Sequence, residues 1–126
     1  ILDDHRISIF NNNGIAFYNK KEVDGHSEIV IYNFKTDSYS KYLDDSLEEH
    51  EMKSFSQGRG KITKNGGLFI EEQNHGRLLY FNQDGSLQWE YVNRADDDHV
   101  YSLNWSRILD TQEDINKIKK ILESQV

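Results

Sequence analysis

The sequence predicts an all-β fold of two four-stranded antiparallel sheets, of the kind that form the blades of a partial β-propeller, followed by a C-terminal α-helix. The first observation is an internal repeat, because the apolar strands and polar turns of residues 7–43 return in residues 60–92. The second is its length, since a period of about 50 residues with four short strands is typical of propeller blades. In this alignment Ile15 corresponds to Leu68, and Ile29 corresponds to Leu78.

The first blade is predicted over residues 5–43. Its turn at residues 11–14 reads Asn-Asn-Asn-Gly, and both residue types tolerate the positive φ angles that a tight hairpin needs. Farther along, the chain alternates, with Ile29 and Ile31 on one face of a strand and Val30 on the other. We therefore expect a meander of four antiparallel strands at residues 7–10, 15–18, 28–34 and 39–43.

Residues 44–57 are predicted to connect the two blades. The segment is rich in Asp and Glu and poor in large apolar side chains, which is typical of a solvated loop, here with one helical turn. The alternative interpretation is a site for a cation or a basic partner, although no ligand spacing defines such a site.

The second blade is predicted over residues 58–93, and the alternating residues 101–109 predict one more strand. We expect Trp89, Tyr91 and Trp105 to pack between blades, with stacking on a sugar or a phenol as the alternative. Turns with Asn-Gly and Asp-Gly chemistry separate the strands of this blade. These strands are predicted at residues 60–63, 68–72, 77–82 and 86–92.

The C-terminal segment, residues 100–126 with the strand included, ends in a predicted helix. Asp110 or Thr111 can cap it, with Glu113 or Asp114 as the partner in a capping box. We expect its apolar stripe to pack on the last blade and cover the edge of that blade, with docking onto a partner chain as the alternative. The stripe consists of Ile115, Ile118, Ile121, Leu122 and Val126.

Composition excludes several classes of function. The 126 residues suffice for one domain, expected to span residues 1–126. A net charge of −7, with scattered Lys and Arg, argues against binding to nucleic acid. No apolar run approaches the length of a membrane span, so we expect no membrane partner. The chain has no cysteine for a disulfide or a thiolate metal site, and no motif indicates a cofactor.

The histidines were considered as metal ligands. None of the five has helical ligand spacing or a cysteine partner, so we predict no metal site. His26 and His75 fall in equivalent loops of the two blades, where we expect them to be exposed. Residues 96–99, which read Asp-Asp-Asp-His, are expected to form a solvated turn, with a divalent cation site as the alternative.

Two motifs lie in register with the turns of the second blade. Gly76-Arg77 follows an Asn-Gly turn, and Trp89-Glu90-Tyr91 follows an Asp-Gly turn. With them, residues 64–93 resemble the last blades of the bacterial arylsulfotransferase-like β-propellers. The resemblance implies that the chain is the C-terminal fragment of a larger propeller, which favours the bacterial periplasm as its location. It also implies the remaining blades of that propeller as partners.

The resemblance further implies an activity for the whole protein. Members of the family transfer sulfate between phenolic compounds through a transiently sulfated histidine and use no nucleotide sulfate donor. Phenolic compounds and aryl sulfates are therefore the expected ligands, and no cofactor is expected. We expect the fragment alone to be inactive and to self-associate through apolar faces that missing blades would cover. The alternative is a propeller that binds a ligand or another protein without catalysis.

Two candidate site residues follow from the resemblance. His5 matches the family's His-Asp pair at the start of the first inner strand, where a catalytic channel histidine is expected, although Arg6 stands in place of the Asp. The second inner strand begins near residues 54–60, which contain no histidine. Arg59 in that stretch is the candidate group for binding the anionic substrate, because a guanidinium pairs well with oxyanions.

Overall fold

The computed structural model describes residues 1–13, 15–16, 21–22 and 24–125. Within them the fold is mostly β, with two antiparallel sheets of three and four strands, one small two-stranded sheet and a C-terminal helix. The predicted framework of two antiparallel sheets and a final helix is therefore confirmed. The second half of the predicted strand at residues 15–18 lies outside the described residues.

The N-terminal strands do not form the predicted four-stranded meander. The strands are β1 (Arg6–Asn11), β2 (Ile15–Ala16), β3 (Lys21–Glu22), β4 (Glu28–Asn33) and β5 (Ser38–Lys41). In the described part of the chain the first sheet has three strands, in the order β1-β4-β5, and β1 pairs directly with β4. A separate antiparallel pair, β2 and β3, lies in the connection between β1 and β4.

The second sheet is the predicted meander of four strands in sequence order. Every neighbouring pair is antiparallel, and one register shift occurs between Tyr80 and Phe81. The strands are β6 (Arg59–Ile62), β7 (Leu68–Glu72), β8 (Arg77–Phe81) and β9 (Leu87–Val92).

Packing between the two sheets explains why β1 pairs with β4. Phe10 lies opposite Ile29 in the register, and both side chains face the second sheet. There β6 has no side chain at Gly60, where a Cβ atom would lie 2.4 Å from Cδ1 of Ile29. The longer connection between β1 and β4 costs little, because loop-closure entropy grows slowly with length.

The structure also corrects the alignment of the repeat. Asn11 lies opposite Glu28 at one end of the β1–β4 pair, as Glu72 lies opposite Arg77 in the β7–β8 pair. Strand β1 therefore takes the position of β7 rather than that of β6. The correspondence of Ile15 with Leu68 is wrong for this reason, and no described strand of the first sheet corresponds to β6.

The core lies between the two sheets and includes part of the predicted solvated connection. Helix α1 (Asp44–Glu49) follows β5, and its Leu47 is fully buried together with Met52. Burial of each such side chain contributes roughly 1.5–3 kcal/mol. Residues 44–57 are therefore acidic at the surface, but Leu47 and Met52 anchor them in the core. The many acidic residues of the segment had indicated only a solvated loop. The buried cluster consists of Ile29, Leu47, Met52, Leu68, Ile70, Leu79 and Phe81.

Residues 100–110, here called the strap, do not form the predicted strand. The strap crosses one end of the second sheet, where the amide of Tyr101 donates to the carbonyl of Asn93 and that of Leu103 donates to the carbonyl of Gln73. It then follows the outer face of that sheet, the face turned away from the first sheet. The backbone amides of the strap donate hydrogen bonds to carbonyls near the ends of strands and to side chains. Among the described residues the strap makes a single β-bridge, between Arg94 and Val100, so it does not add a strand to the sheet.

Helix α2 (Gln112–Glu123) begins as predicted and packs differently. Thr111 is the N-cap, and its hydroxyl accepts the amide hydrogen of Asp114 at 3.1 Å. No described residue of α2 is buried, and Ile121 and Leu122 are more than half exposed, so the predicted packing of the stripe on the last blade is wrong. Val126 lies outside the described residues. None of the helices described has the length and apolar character needed to cross a membrane.

The aromatic residues predicted to pack between blades each keep more than a third of their surface exposed. Trp89 is 39% exposed, Tyr91 is 49% exposed, and Trp105 on the strap is 64% exposed. Trp89 stacks on the buried Tyr80 with ring centroids 5.9 Å apart, which places it on the outer face. The outer face of the second sheet is therefore partly exposed to solvent along β9.

Candidate functional site

A cleft of about 340 Å³ surrounds Arg59 at one end of the second sheet. Three pieces of chain meet there: the start of β6, a single 3-10 turn at Gln73–His75 between β7 and β8, and the strap. The cleft combines one cation, three carboxamide side chains and an indole, so it can offer hydrogen bonds and an aromatic surface to one ligand. It is lined by Gln57, Gly58, Arg59, Gln73, Asn104 and Trp105.

The guanidinium of Arg59 is held between a ring and a carboxylate. Its central carbon lies 4.2 Å from the centroid of the Trp105 ring, and its Nε lies 3.8 Å from Oε1 of Glu71. Arg107 approaches the same ring at 5.4 Å. The Arg59 side chain is 29% exposed, so part of its hydrogen-bonding fork still faces the cleft. A fixed, partly desolvated guanidinium is suited to binding an oxyanion.

Glu71 is a buried carboxylate beneath this cleft, and no motif in the sequence indicates it. Its residue is 1% exposed, and its Oε2 accepts the backbone amide of Ser106 at 2.5 Å. Its Oε1 has no hydrogen-bond partner among the described residues, which leaves Arg59 as its main source of compensation. Glu71 therefore ties the strap to β7 and sets the charge under Arg59.

The strap holds Trp105 in an uncommon backbone conformation. Its φ angle is +64°, in the left-handed region that a bulky L-residue seldom adopts. The bond from Ser106 to Glu71 follows directly in the chain and fixes this turn. Strained residues of this kind cluster at ligand sites. The indole is thereby placed over Arg59 while most of its surface stays exposed.

A second carboxylate, Glu72, orients the histidine at the end of the 3-10 turn. Glu72 is fully buried and accepts the backbone amide of Lys53 and Nε of Arg77, each at 2.6 Å. Nδ1 of His75 lies 3.2 Å from Oε1 of Glu72, and the imidazole is 48% exposed. His75 is therefore half-exposed, as its loop position predicts, but it carries a buried carboxylate partner. The feature of the sequence that indicates this buried carboxylate is the Glu-Glu pair at the end of the apolar strand β7.

His5 lies far from this cleft. It precedes β1, its amide donates to Oδ1 of Asp3 at 3.1 Å, and its side chain is 44% exposed. Phe10 lies at the other end of β1 and contacts the backbone at Gly58. Five residues of extended strand span roughly 17 Å, so the structure does not bring His5 and Arg59 together. The role predicted for His5 stays a prediction.

The other predicted loop histidine, His26, is largely buried instead of exposed. Its side chain is 13% exposed, and Nε2 lies 2.7 Å from Oδ1 of Asp44. The ammonium of Lys41 contacts Glu28 at 2.6 Å and Asp44 at 3.1 Å. The hydrogen bonds that the ammonium donates to these two carboxylates raise the pKa of Lys41. Burial would raise the pKa of Asp44, but the bonds from His26 and Lys41 lower it.

The acidic turn at residues 96–99 is exposed, as expected. Nδ1 of His99 lies 2.7 Å from Oδ1 of Asp96, and both side chains are more than half exposed. The pKa of Asp96 is lowered, mainly by this hydrogen bond. No third ligand group joins this pair in the described part of the chain, since the metal-compatible group found there is the one around His26.

Comparison with known families identifies the chain. The family model described as Arylsulfotransferase (ASST) matches residues 2–94, about three-quarters of the sequence. The chain belongs to the arylsulfotransferase family. No curated protein and no solved structure is significantly similar to it. The match includes Arg59, Glu71 and His75 and ends before the strap, so Trp105 closes the cleft from outside the matched region.

Proposed function

We propose that this chain is the C-terminal part of an arylsulfotransferase-like β-propeller, whose whole protein transfers sulfate between phenolic compounds through a histidine. Within it, the cleft around Arg59 binds the sulfate-bearing end of an aryl sulfate. The observation that carries the proposal is the family match over residues 2–94 together with the guanidinium stacked on Trp105 inside that cleft.

The arrangement of the two sheets supports the propeller part of the proposal. The face of the first sheet that carries Ile29 packs on the second sheet. In the repeat Ile29 corresponds to Leu78, and Leu78 and Trp89 lie on the face of the second sheet that points away from the first sheet. Two sheets that face the same way are what successive blades require. On the outside of the first sheet, Ile9 is 44% exposed and Tyr39 is 74% exposed. A preceding blade would cover these apolar groups, and without it we expect the chain to self-associate.

The chemistry of the cleft supports the ligand class. A sulfate ester has a single negative charge spread over three oxygens, which suits the forked donors of Arg59 and the amides of Gln57 and Asn104. The aromatic part of an aryl sulfate can stack on the exposed indole of Trp105. The same groups would bind inorganic sulfate without the stacking contribution, so an aryl ester should bind more tightly than the inorganic ion.

His75 is the histidine that we add to the proposal, because it lies two residues after the cleft residue Gln73 and has a buried carboxylate partner. Glu72 lies at its Nδ1, which leaves Nε2 as the nitrogen for chemistry. In the transfer step a bond forms between Nε2 and sulfur while the bond from sulfur to the aryl oxygen breaks, and a phenolate leaves. The second phenol then takes the sulfuryl group and gives its proton to the imidazole. Any role of His5 would be at a site other than the cleft around Arg59.

Binding is tested on residues 1–126 by calorimetry with 4-nitrophenyl sulfate. We expect Arg59→Gln to weaken binding at least tenfold, because it removes the cation while keeping a polar side chain. The matched control is Arg107→Gln, which removes the more distant guanidinium and should change the affinity less than threefold. Equal affinities of the wild type and Arg59→Gln would contradict the proposed ligand site.

Transfer is tested on the full-length protein by mass spectrometry after incubation with the same ester. We expect phenol release and a sulfuryl group on the peptide that contains His75, and we expect neither from residues 1–126 alone. The second candidate function is a non-catalytic binding propeller, favoured by the absence of histidine among the described residues that line the cleft. Binding without a sulfated histidine or released phenol would establish this alternative.

A further inference from the structure

We propose that His26, Glu28 and Asp44 form a binding site for a divalent transition-metal ion with the preferences of zinc. One nitrogen and two carboxylate oxygens from these residues lie within 4.8 Å of one another. The three ligands come from three parts of the fold. His26 lies two residues before β4, Glu28 is the first residue of β4, and Asp44 is the first residue of α1. The inference is independent of sulfate transfer, because this group lies apart from the cleft around Arg59.

The geometry needs little adjustment to hold an ion. Zinc binds nitrogen and oxygen ligands at about 2.0–2.2 Å, so two ligands on one ion lie about 3.4 Å apart in a tetrahedral site. The nitrogen of His26 and the nearest oxygen of Asp44 are 2.7 Å apart and would separate slightly to admit the ion. No separation in the group exceeds 4.8 Å, so none would have to shorten by more than about 1.4 Å.

Neighbouring groups already orient two of the ligands. Oε2 of Glu28 accepts a hydrogen bond from Asn11 at 3.0 Å, which fixes the carboxylate and leaves Oε1 directed at the site. The carbonyl of His26 accepts a bond from Asn13 at 3.2 Å, which holds the backbone of the histidine. The side chains of His26 and Glu28 are only 13% and 14% exposed. Support of this kind raises the metal affinity of a site.

Lys41 already places a cation between two of the three proposed ligands. Its ammonium contacts both carboxylates, so the structure itself shows that a cation is favourable between Glu28 and Asp44. Lys41 is 41% exposed and can swing into solvent, while His26 has no such route because it is largely buried. We therefore infer a competition in which the metal ion displaces the ammonium and adds the imidazole as a third ligand.

The surrounding charge favours the approach of cations. A cleft of about 330 Å³ opens beside His26, and its lining includes three further acidic residues, Asp24, Glu48 and Glu51, with one lysine. An acidic, concave surface raises the local concentration of divalent ions. The imidazole decides between them, because nitrogen ligands favour zinc, cobalt and nickel over magnesium and calcium.

The test is a calorimetric titration of the full chain with zinc chloride, repeated with cobalt chloride and read by visible absorption. We expect one ion per chain, and no competition from a hundredfold excess of magnesium. Lys41→Met should bind zinc at least tenfold more tightly than the wild type, since it removes the competing ammonium. His26→Gln should lose at least tenfold. The matched control is His99→Gln, because His99 and Asp96 are also 2.7 Å apart but lack a third ligand.

The outcomes separate a site from general metal binding. Equal affinity of the wild type and His26→Gln, or equal loss in His26→Gln and His99→Gln, would overturn the proposal. A Lys41→Met chain that binds no more tightly than the wild type would overturn it too. Because Lys41 is half-exposed at the surface, that variant is expected to fold and gives a result even if His26→Gln does not fold. Circular dichroism of each variant checks this.

Discussion

The Nε atom of Arg59 lies 3.8 Å from Oε1 of Glu71, a buried oxygen for which no hydrogen-bond partner was found among the described residues. The two residues face each other across β6 and β7, where they are register partners. Arg59 thus has two tasks in the structure: it compensates a buried charge below and offers donors to the cleft above. A substitution of Arg59 should therefore change both the free energy of unfolding and the affinity for a ligand in the cleft.

Replacement of Arg59 by Ala should destabilise the chain by about 1–3 kcal/mol, because it leaves Glu71 buried without a nearby cation. Glu71→Gln in the same background should restore part of this loss, since the amide carries no charge and can still accept the amide hydrogen of Ser106. Urea unfolding of both single variants and the double variant measures the coupling. If the two effects simply add, the pair does not compensate in the way that we infer.

Gly76→Ala should release the strap from the end of the second sheet. Gly76 has a φ angle of +60°, and a Cβ atom there would lie 2.2 Å from the carbonyl oxygen of Tyr101. The left-handed conformation alone costs an Ala about 1–2 kcal/mol, and the backbone clash adds about 1–3 kcal/mol. Hydrogen exchange should accelerate at residues 100–106 as the strap moves away.

The control for this prediction is Gly66→Ala. Gly66 also has a positive φ angle, +79°, but its added Cβ would meet only the side chain of the exposed Gln83. It should therefore show the conformational cost without any change in hydrogen exchange at the strap. Equal exchange at residues 100–106 in both variants would show that Gly76 does not hold the strap.

The sequence predicted the strands and turns of the second sheet, but it did not predict the strand pairing of the first sheet or the irregular strap. Turn chemistry and alternation predicted the second sheet strand by strand, because each of its strands pairs with its neighbour in sequence. In the first sheet β1 passes over β2 and β3 and pairs with β4, since that register places Phe10 and Ile29 against Gly58 and Gly60 where the second sheet begins. Such a choice depends on the partner sheet, and no local pattern of residues reports it.

The candidate site shows the same limit. The family resemblance that pointed to Arg59 is confirmed, and the role of Arg59 in binding an anion stays a prediction. Glu71, Glu72 and the orientation of His75 were missed, because strand β7 is buried on both faces and its carboxylates are paired by residues distant in sequence. A charged pair at the end of an apolar strand is the available signal, since buried carboxylates need partners.

Loss of the N-cap should unfold α2 selectively. Thr111→Ala removes the oxygen that accepts the amide hydrogen of Asp114, a change that costs about 1 kcal/mol. Because no described residue of α2 is buried, little tertiary packing opposes the fraying. Circular dichroism should lose helical signal while the urea midpoint of the sheets stays constant. Thr111→Ser keeps the hydroxyl and should retain the helix, and a helical Thr111→Ala chain would show that packing holds α2 instead.

Acid should detach the end of the strap from β6 before the sheets unfold. Oδ1 of Asp110 lies 2.7 Å from Nζ of Lys61, and its Oδ2 accepts the amide hydrogen of Lys64. The bond from Lys61 is the main cause that lowers the pKa of Asp110 below its ordinary 3.8. A carboxyl whose pKa is lower in the folded state stabilises that state fully above the ordinary value, and the contribution is lost as the pH falls through the lowered one.

This pH dependence can be measured at residues 107–112. Hydrogen exchange there, corrected for its intrinsic pH dependence, should be constant between pH 7 and pH 5 and should accelerate below about pH 4, where the detached form of Asp110 can take up a proton. Asp110→Asn should remove the acceleration, because an amide does not titrate in this range. Since Lys61 is about half exposed, the change should be small and should weaken with added salt. An unchanged acid response in Asp110→Asn would assign it to another carboxylate.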